Sequence, residues 1–105
     1  MISPDTFDQM LEGLIQSMPE ELFDALNGGM VISEDTVEKT DEPGLLLGAY
    51  RHDRHLGNWI ELYYGSFAQA FAADDDAVWL PALEGELRRL LRQHMANQAG
   101  IYTEE

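Results

Sequence analysis

Few side chains in this chain could do chemistry. It contains no cysteine and only three histidines, so thiolate metal sites, disulfides and cysteine nucleophiles are all excluded. His52 and His55 stand three apart in Arg51-His52-Asp53-Arg54-His55, a spacing that would aim both rings at one cation if the segment were helical. The stretch is polar, lies between two segments rich in strand formers and carries two arginines that oppose a cation, so it reads as a hairpin loop. His94 follows Gln93 near the end of a helical pattern and has Asn97 three residues on. A histidine there more often complements the helix dipole or closes the core edge than binds metal. Asp74-Asp75-Asp76 lacks the alternating oxygen ligands of a calcium loop, because Ala77, Val78 and Trp79 follow, and it reads as a solvated turn. There is no glycine-rich phosphate loop, and 20 acidic residues make any chosen carboxylate pair uninformative. No metal and no cofactor is expected.

The elements that must position these residues can be read from periodicity. Ser3-Pro4-Asp5 is a helix start, with a capping serine, a first-turn proline and an acid at the positive end of the dipole. Phe7, Met10, Leu11, Leu14, Ile15 and Met18 then recur at spacings of three and four, which predicts an amphipathic helix. Pro19 restarts the chain into a short second helix that stops at Asn27-Gly28-Gly29. Met30-Val31-Ile32 reads as a short strand and residues 33–44 as a solvated loop. Residues 45–50 and 59–64 predict a hairpin, while residues 67–73 fit either a strand continuation or a short helix. Pro81 is expected to open a last helix with Leu80, Leu83, Leu87, Leu90, Leu91 and His94 on or near one face. The expected architecture is α+β, with N-terminal helices, a small sheet of three to four strands and a long C-terminal helix.

At 105 residues the chain supports one core, and residues 1–105 are read as a single domain. Hydrophobic residues make up 45% and charged residues 25%, an ordinary globular balance. The formal net charge of −14 repels phosphates, so nucleic-acid binding is not expected, while a basic protein partner is compatible with it. No apolar run approaches a membrane span and no signal-peptide pattern opens the chain, so the expected location is the cytoplasm.

Leu47-Gly48-Ala49-Tyr50, His55-Leu56-Gly57-Asn58-Trp59-Ile60 and Tyr63-Tyr64-Gly65-Ser66-Phe67 resemble segments of the small bacterial zincin-like metallopeptidases. Pro19-Glu20-Glu21-Leu22-Phe23 and Leu26-Asn27-Gly28-Gly29 fit the opening of that family, and Glu86-Leu87-Arg88-Arg89-Leu90-Leu91-Arg92 looks like the run into its zinc helix. The resemblance covers about Ile2 to Arg92. It implies that the last helix should continue with His-Glu-x-x-His, two zinc ligands one turn apart around a glutamate that acts on metal-bound water. Here the continuation is Gln93-His94-Met95-Ala96-Asn97-Gln98-Ala99-Gly100.

Two alignments lead to the same consequence. Without a gap, Gln93 and Asn97 replace the histidines and His94 replaces the glutamate, leaving amides that are poor zinc ligands. With four residues deleted, Gln93-His94 matches a pair beginning at the second ligand, and the first ligand and the glutamate are lost together. The resemblance therefore implies a family member without peptidase activity, retained as a protein- or peptide-binding or regulatory module. It also implies that the strand before the last helix, Trp59 to Gly65, lies along the substrate, with Tyr63, Tyr64 and Ser66 flanking an exposed edge that accepts an extended peptide. The plainer reading of those residues is that they pack the sheet. Two further readings remain: a residual metalloenzyme built from His94 with His52 or His55 and the terminal Glu104 or Glu105, and an acidic mimic that occupies a basic protein surface.

Overall fold

The computed structural model describes residues 2–99. Helix α1 (Pro4–Ser17) begins where Ser3 accepts a hydrogen bond from the backbone of Thr6, and it buries Phe7, Leu11 and Leu14. A 3-10 helix, Glu20–Phe23, replaces the expected second α-helix. It ends early because Ala25 adopts a left-handed φ of 64°, which turns the chain before the glycine pair is reached. Strand β1 (Gly29–Ser33) follows. Residues 33–44 are not wholly loop, because β2 (Val37–Glu38) pairs antiparallel with β3 (Leu45–Leu46). The segment expected as one strand over residues 45–50 is thus divided between β3 and β4 (Gly48–Asp53).

Strands β4 and β5 (Gly57–Tyr63) form the expected hairpin. The loop is tighter than residues 51–58, because the strands run on to an Asp53–Gly57 pair. Gly57 supplies the left-handed residue such a short loop requires, with φ 87°. Asp53 accepts hydrogen bonds from the backbone N–H of Leu56 and of His55, and these hold its carboxyl below the usual range. The sheet has the order β1-β5-β4, with β1 parallel and β4 antiparallel to β5. The three-stranded sheet and the separate two-stranded ribbon together realise the expected α+β class.

Helix α2 (Tyr64–Ala70) follows β5 directly, so the ambiguous segment is helical over residues 67–70 and a turn over 71–73. Helix α3 (Asp76–Gln98) starts earlier than expected. Asp75 caps it by accepting from the backbone of Ala77, and Pro81 lies inside the helix rather than opening it. The earlier start also shifts the buried face, so Trp79 is fully buried and Leu80 is exposed. Trp79, Leu83, Leu87, Leu90, Leu91 and His94 then form one continuous buried stripe at spacings of four, four, three, one and three.

Phe7, Tyr64, Phe67 and Trp79 meet in one aromatic cluster, with the Phe7 and Phe67 ring centres 5.1 Å apart and Phe7 and Tyr64 edge to face at 5.4 Å. The Trp79 indole donates to the carbonyl of Phe71 at 2.9 Å, and the Tyr64 hydroxyl donates to the carbonyl of Ile2. Ile60 and Leu62 of β5 close the core from the sheet.

The glycines separate tight positions from open ones. A Cβ on Gly65 would lie 2.5 Å from the carbonyl oxygens of Glu34 and Asp35, whereas one on Gly85 of α3 would meet nothing within 4 Å. Gly65→Ala should lower the stability measured by urea unfolding by about 1–3 kcal/mol, the usual range for forced overpacking. Gly85→Ala should raise it by about 0.5–1 kcal/mol, because only backbone entropy and helix propensity change there.

Candidate functional site

The last turns of α3 carry the residues that the resemblance places at a zinc site, and each can be traced from the fold. Continuing the buried stripe from Leu90 and Leu91 turns His94 inward, where its exposure is 1%. Across from it, Tyr50 of β4 projects from the same sheet face as Ile60, its cross-strand partner. The turn at Ala25 brings the carbonyl of Asp24 to the other side of the imidazole. His94 Nε2 lies 2.6 Å from that carbonyl oxygen and Nδ1 lies 2.7 Å from the Tyr50 hydroxyl. A carbonyl can only accept, so Nε2 carries a proton, and in the neutral imidazole Nδ1 accepts from Tyr50. Asn97 Nδ2 in turn donates to the Tyr50 oxygen at 3.1 Å. A single run of donated hydrogen bonds therefore passes from Asn97 to Tyr50 to His94 to Asp24. Burial raises the Tyr50 phenol above its ordinary range, against the opposing hydrogen bonds from Asn97 and Gln98.

This arrangement joins α3, β4 and the 3-10 turn, and it leaves no lone pair on His94 for a metal. Gln93 is half-buried one residue away and offers only an amide. The donor set does not fit zinc. Among the described residues no group of three or more histidine or carboxylate side chains is placed to hold a metal ion. His52 is on β4 with Nδ1 against the side-chain oxygen of Asn58, its cross-strand partner, while His55 sits in the exposed hairpin loop. The two rings flank a turn rather than share a helix face. Glu104 and Glu105 lie outside the described residues.

The exposed edge expected at Trp59 to Gly65 is not there. β5 is the central strand, hydrogen-bonded on both sides, because β1 returns in parallel to pair with it. Tyr63 is buried, and its hydroxyl donates to Glu61 at 2.7 Å while accepting from Arg51 at 3.0 Å. Tyr64 and Ser66 belong to α2 rather than to a strand, and both are buried. Ser66 Oγ accepts from the backbone N–H of Val37 at 2.9 Å and thereby ties α2 to β2. All three side chains pack or pin the fold. A parallel partner for β5 is encoded in no local pattern, which is why sequence reasoning missed it.

Glu61 gathers a polar cluster on the sheet face opposite the core. Besides Tyr63 it accepts from the Trp59 indole at 3.0 Å and from Arg51 at 3.3 Å. Partial burial alone would raise its carboxyl, but the hydrogen bonds from Tyr63, Trp59 and Arg51 and the charge of Arg51 take it below its ordinary value of 4.5.

No family model and no curated protein matches the chain. Among solved structures it is similar to a conserved hypothetical protein from Thermo thermophilus, with 25% sequence identity and a TM-score of 0.78. That match covers 93% of this chain and 98% of the other, so it spans the whole architecture.

Two outcomes follow for these clusters. Tyr50→Phe leaves a buried acceptor on His94 unsatisfied and should cost about 1–3 kcal/mol in urea unfolding. The depressed Glu61 carboxyl stabilises the fold fully above the unfolded-state value near 4.5, and that contribution is lost as pH falls through the lower folded-state value. Glu61→Gln should therefore flatten the stability profile below about pH 4.5 while leaving its slope near neutrality unchanged, as measured by unfolding across a pH series.

Proposed function

We propose that this chain is a zincin-like domain without peptidase activity that serves as a protein- or peptide-binding module. The observation that carries the first half is the state of His94. It stands on the helix where the resemblance expects the metal-binding motif, and both of its ring nitrogens are spent on Tyr50 and the Asp24 carbonyl. Zinc hydrolysis requires a free imidazole pair and a carboxylate base. Gln93, His94 and Asn97 supply neither, and two of the three are bound into a buried network that holds α3 to β4.

The binding half rests on the retained scaffold. An outer strand without a further partner offers backbone groups to an extended segment, and with β5 enclosed the outer strands among the described residues are β1 and β4. No helix among the described residues is long and apolar enough to cross a membrane. A cytoplasmic location belongs to the same proposal.

Protein purified without a histidine tag should carry no stoichiometric zinc and should leave unstructured peptides intact by mass spectrometry, with or without added zinc. His94→Ala should lower thermal stability without changing metal content. Stoichiometric zinc that is lost in that variant would instead establish a metal centre and end the proposal.

A further inference from the structure

A groove lies beside the sheet edge at β1. Among the described residues no strand pairs with the side of β1 that faces away from β5. Along that side α1 and β1 enclose an open groove of about 370 Å3. Leu11 and Ile15 of the helix and Met30 and Ile32 of the strand give it an apolar floor. Asp5, Asp8 and Glu12 form one rim, at the helical spacings of three and four that put them on a single face.

Like charges at these spacings weaken a helix, and only Asp5, in the first turn, gains from the dipole. None of the three forms an ion pair among the described residues, where the pairs join Lys39, Arg51, Arg88 and Arg89 to other acids. None of the six lysines and arginines of the chain lies on α1 or β1. Among the described residues the groove thus combines unpaired strand backbone, an apolar floor and a negative rim without a cationic partner.

We infer that this groove binds an extended segment of a partner protein that carries lysine or arginine at alternate positions and adds as a strand to the free edge of β1. In such a strand every second side chain points toward α1. A lysine or arginine there lays its aliphatic stem over Ile15 and Ile32 while its charged head reaches the carboxylates of the rim. An apolar segment would leave the three acids uncompensated, and an acidic one would be repelled. A second copy of this chain, at a net charge of −14, is disfavoured for the same reason. The inference rests on the binding-module reading and gives that module a partner chemistry.

The test uses a short fluorescent peptide of alternating lysine and valine, followed by anisotropy at low and raised salt, with its integrity checked by mass spectrometry. Asp8→Asn combined with Glu12→Gln should weaken binding by about tenfold, the scale of two lost charge-assisted contacts. Glu38→Gln with Asp41→Asn changes the net charge equally on a distant exposed segment and should leave binding unchanged. A peptide N-methylated at alternate residues, which cannot complete a strand ladder, should not bind. Equal weakening by both double variants, or full binding by the methylated peptide, would overturn the groove assignment and leave the binding-module reading standing. A self-associated protein that the peptide dissociates would put a second copy in the groove and also overturn it. Cleavage of the bound peptide would instead overturn the non-catalytic reading alone.

Discussion

The enclosure of β5 is the constraint from which the rest of the structure follows. Once β1 pairs with it in parallel and β4 in antiparallel sense, every backbone group along it is directed to a neighbour, and its side chains must divide between two faces. Ile60 and Leu62 take the covered face and draw the buried stripes of α1 and α3 against it. Glu61 and Tyr63 take the opposite face, where a carboxylate is tolerable only because Trp59, Tyr63 and Arg51 all donate to it. The strand that family resemblance would offer to a substrate is thus the one strand with no edge to offer.

That enclosure also explains what became of the helix end. With β4 as the outer strand over α3, Tyr50 faces the buried side of that helix, and side chains of the helix satisfy its phenol. His94 and Asn97, one turn apart in the sense that matters for a shared partner, both bond its hydroxyl. The imidazole that remains is an architectural group. Its second nitrogen fixes the backbone at Asp24, next to a residue held in the left-handed region, so the network also maintains a turn that the local sequence does not favour.

Much of this was legible in the residues, and the limits follow the range of the interactions. Helix α1 was readable from the Ser3 cap and the spacing of Phe7, Leu11 and Leu14, because both signals act within a turn or two. The β4–β5 hairpin was readable for the same reason. Pro81 misled because proline marks helix starts more often than interiors, while the true cap, Asp75, sat inside an acid run that looked like solvated turn. Reading Leu80 as buried in place of Trp79 followed directly from that shift. The parallel β1–β5 pairing and the burial of Ser66 against Val37 join residues about thirty positions apart and leave no periodic trace. At the candidate site the identities of Gln93, His94 and Asn97 were plain in the sequence, whereas the use made of His94 depended on Tyr50 and Asp24, which no spacing connects to it.

The parallel pairing has a kinetic side as well. The β4–β5 ladder closes through a short loop, whereas β1 and β5 join residues about thirty positions apart, across β2, β3 and β4. Closing that longer loop costs more chain entropy than closing the hairpin, so the parallel pairing raises the contact order and slows folding. A segment that added to the outer edge of β1 would thus act on the pairing that joins the most distant parts of the chain, and would help to hold the sheet closed.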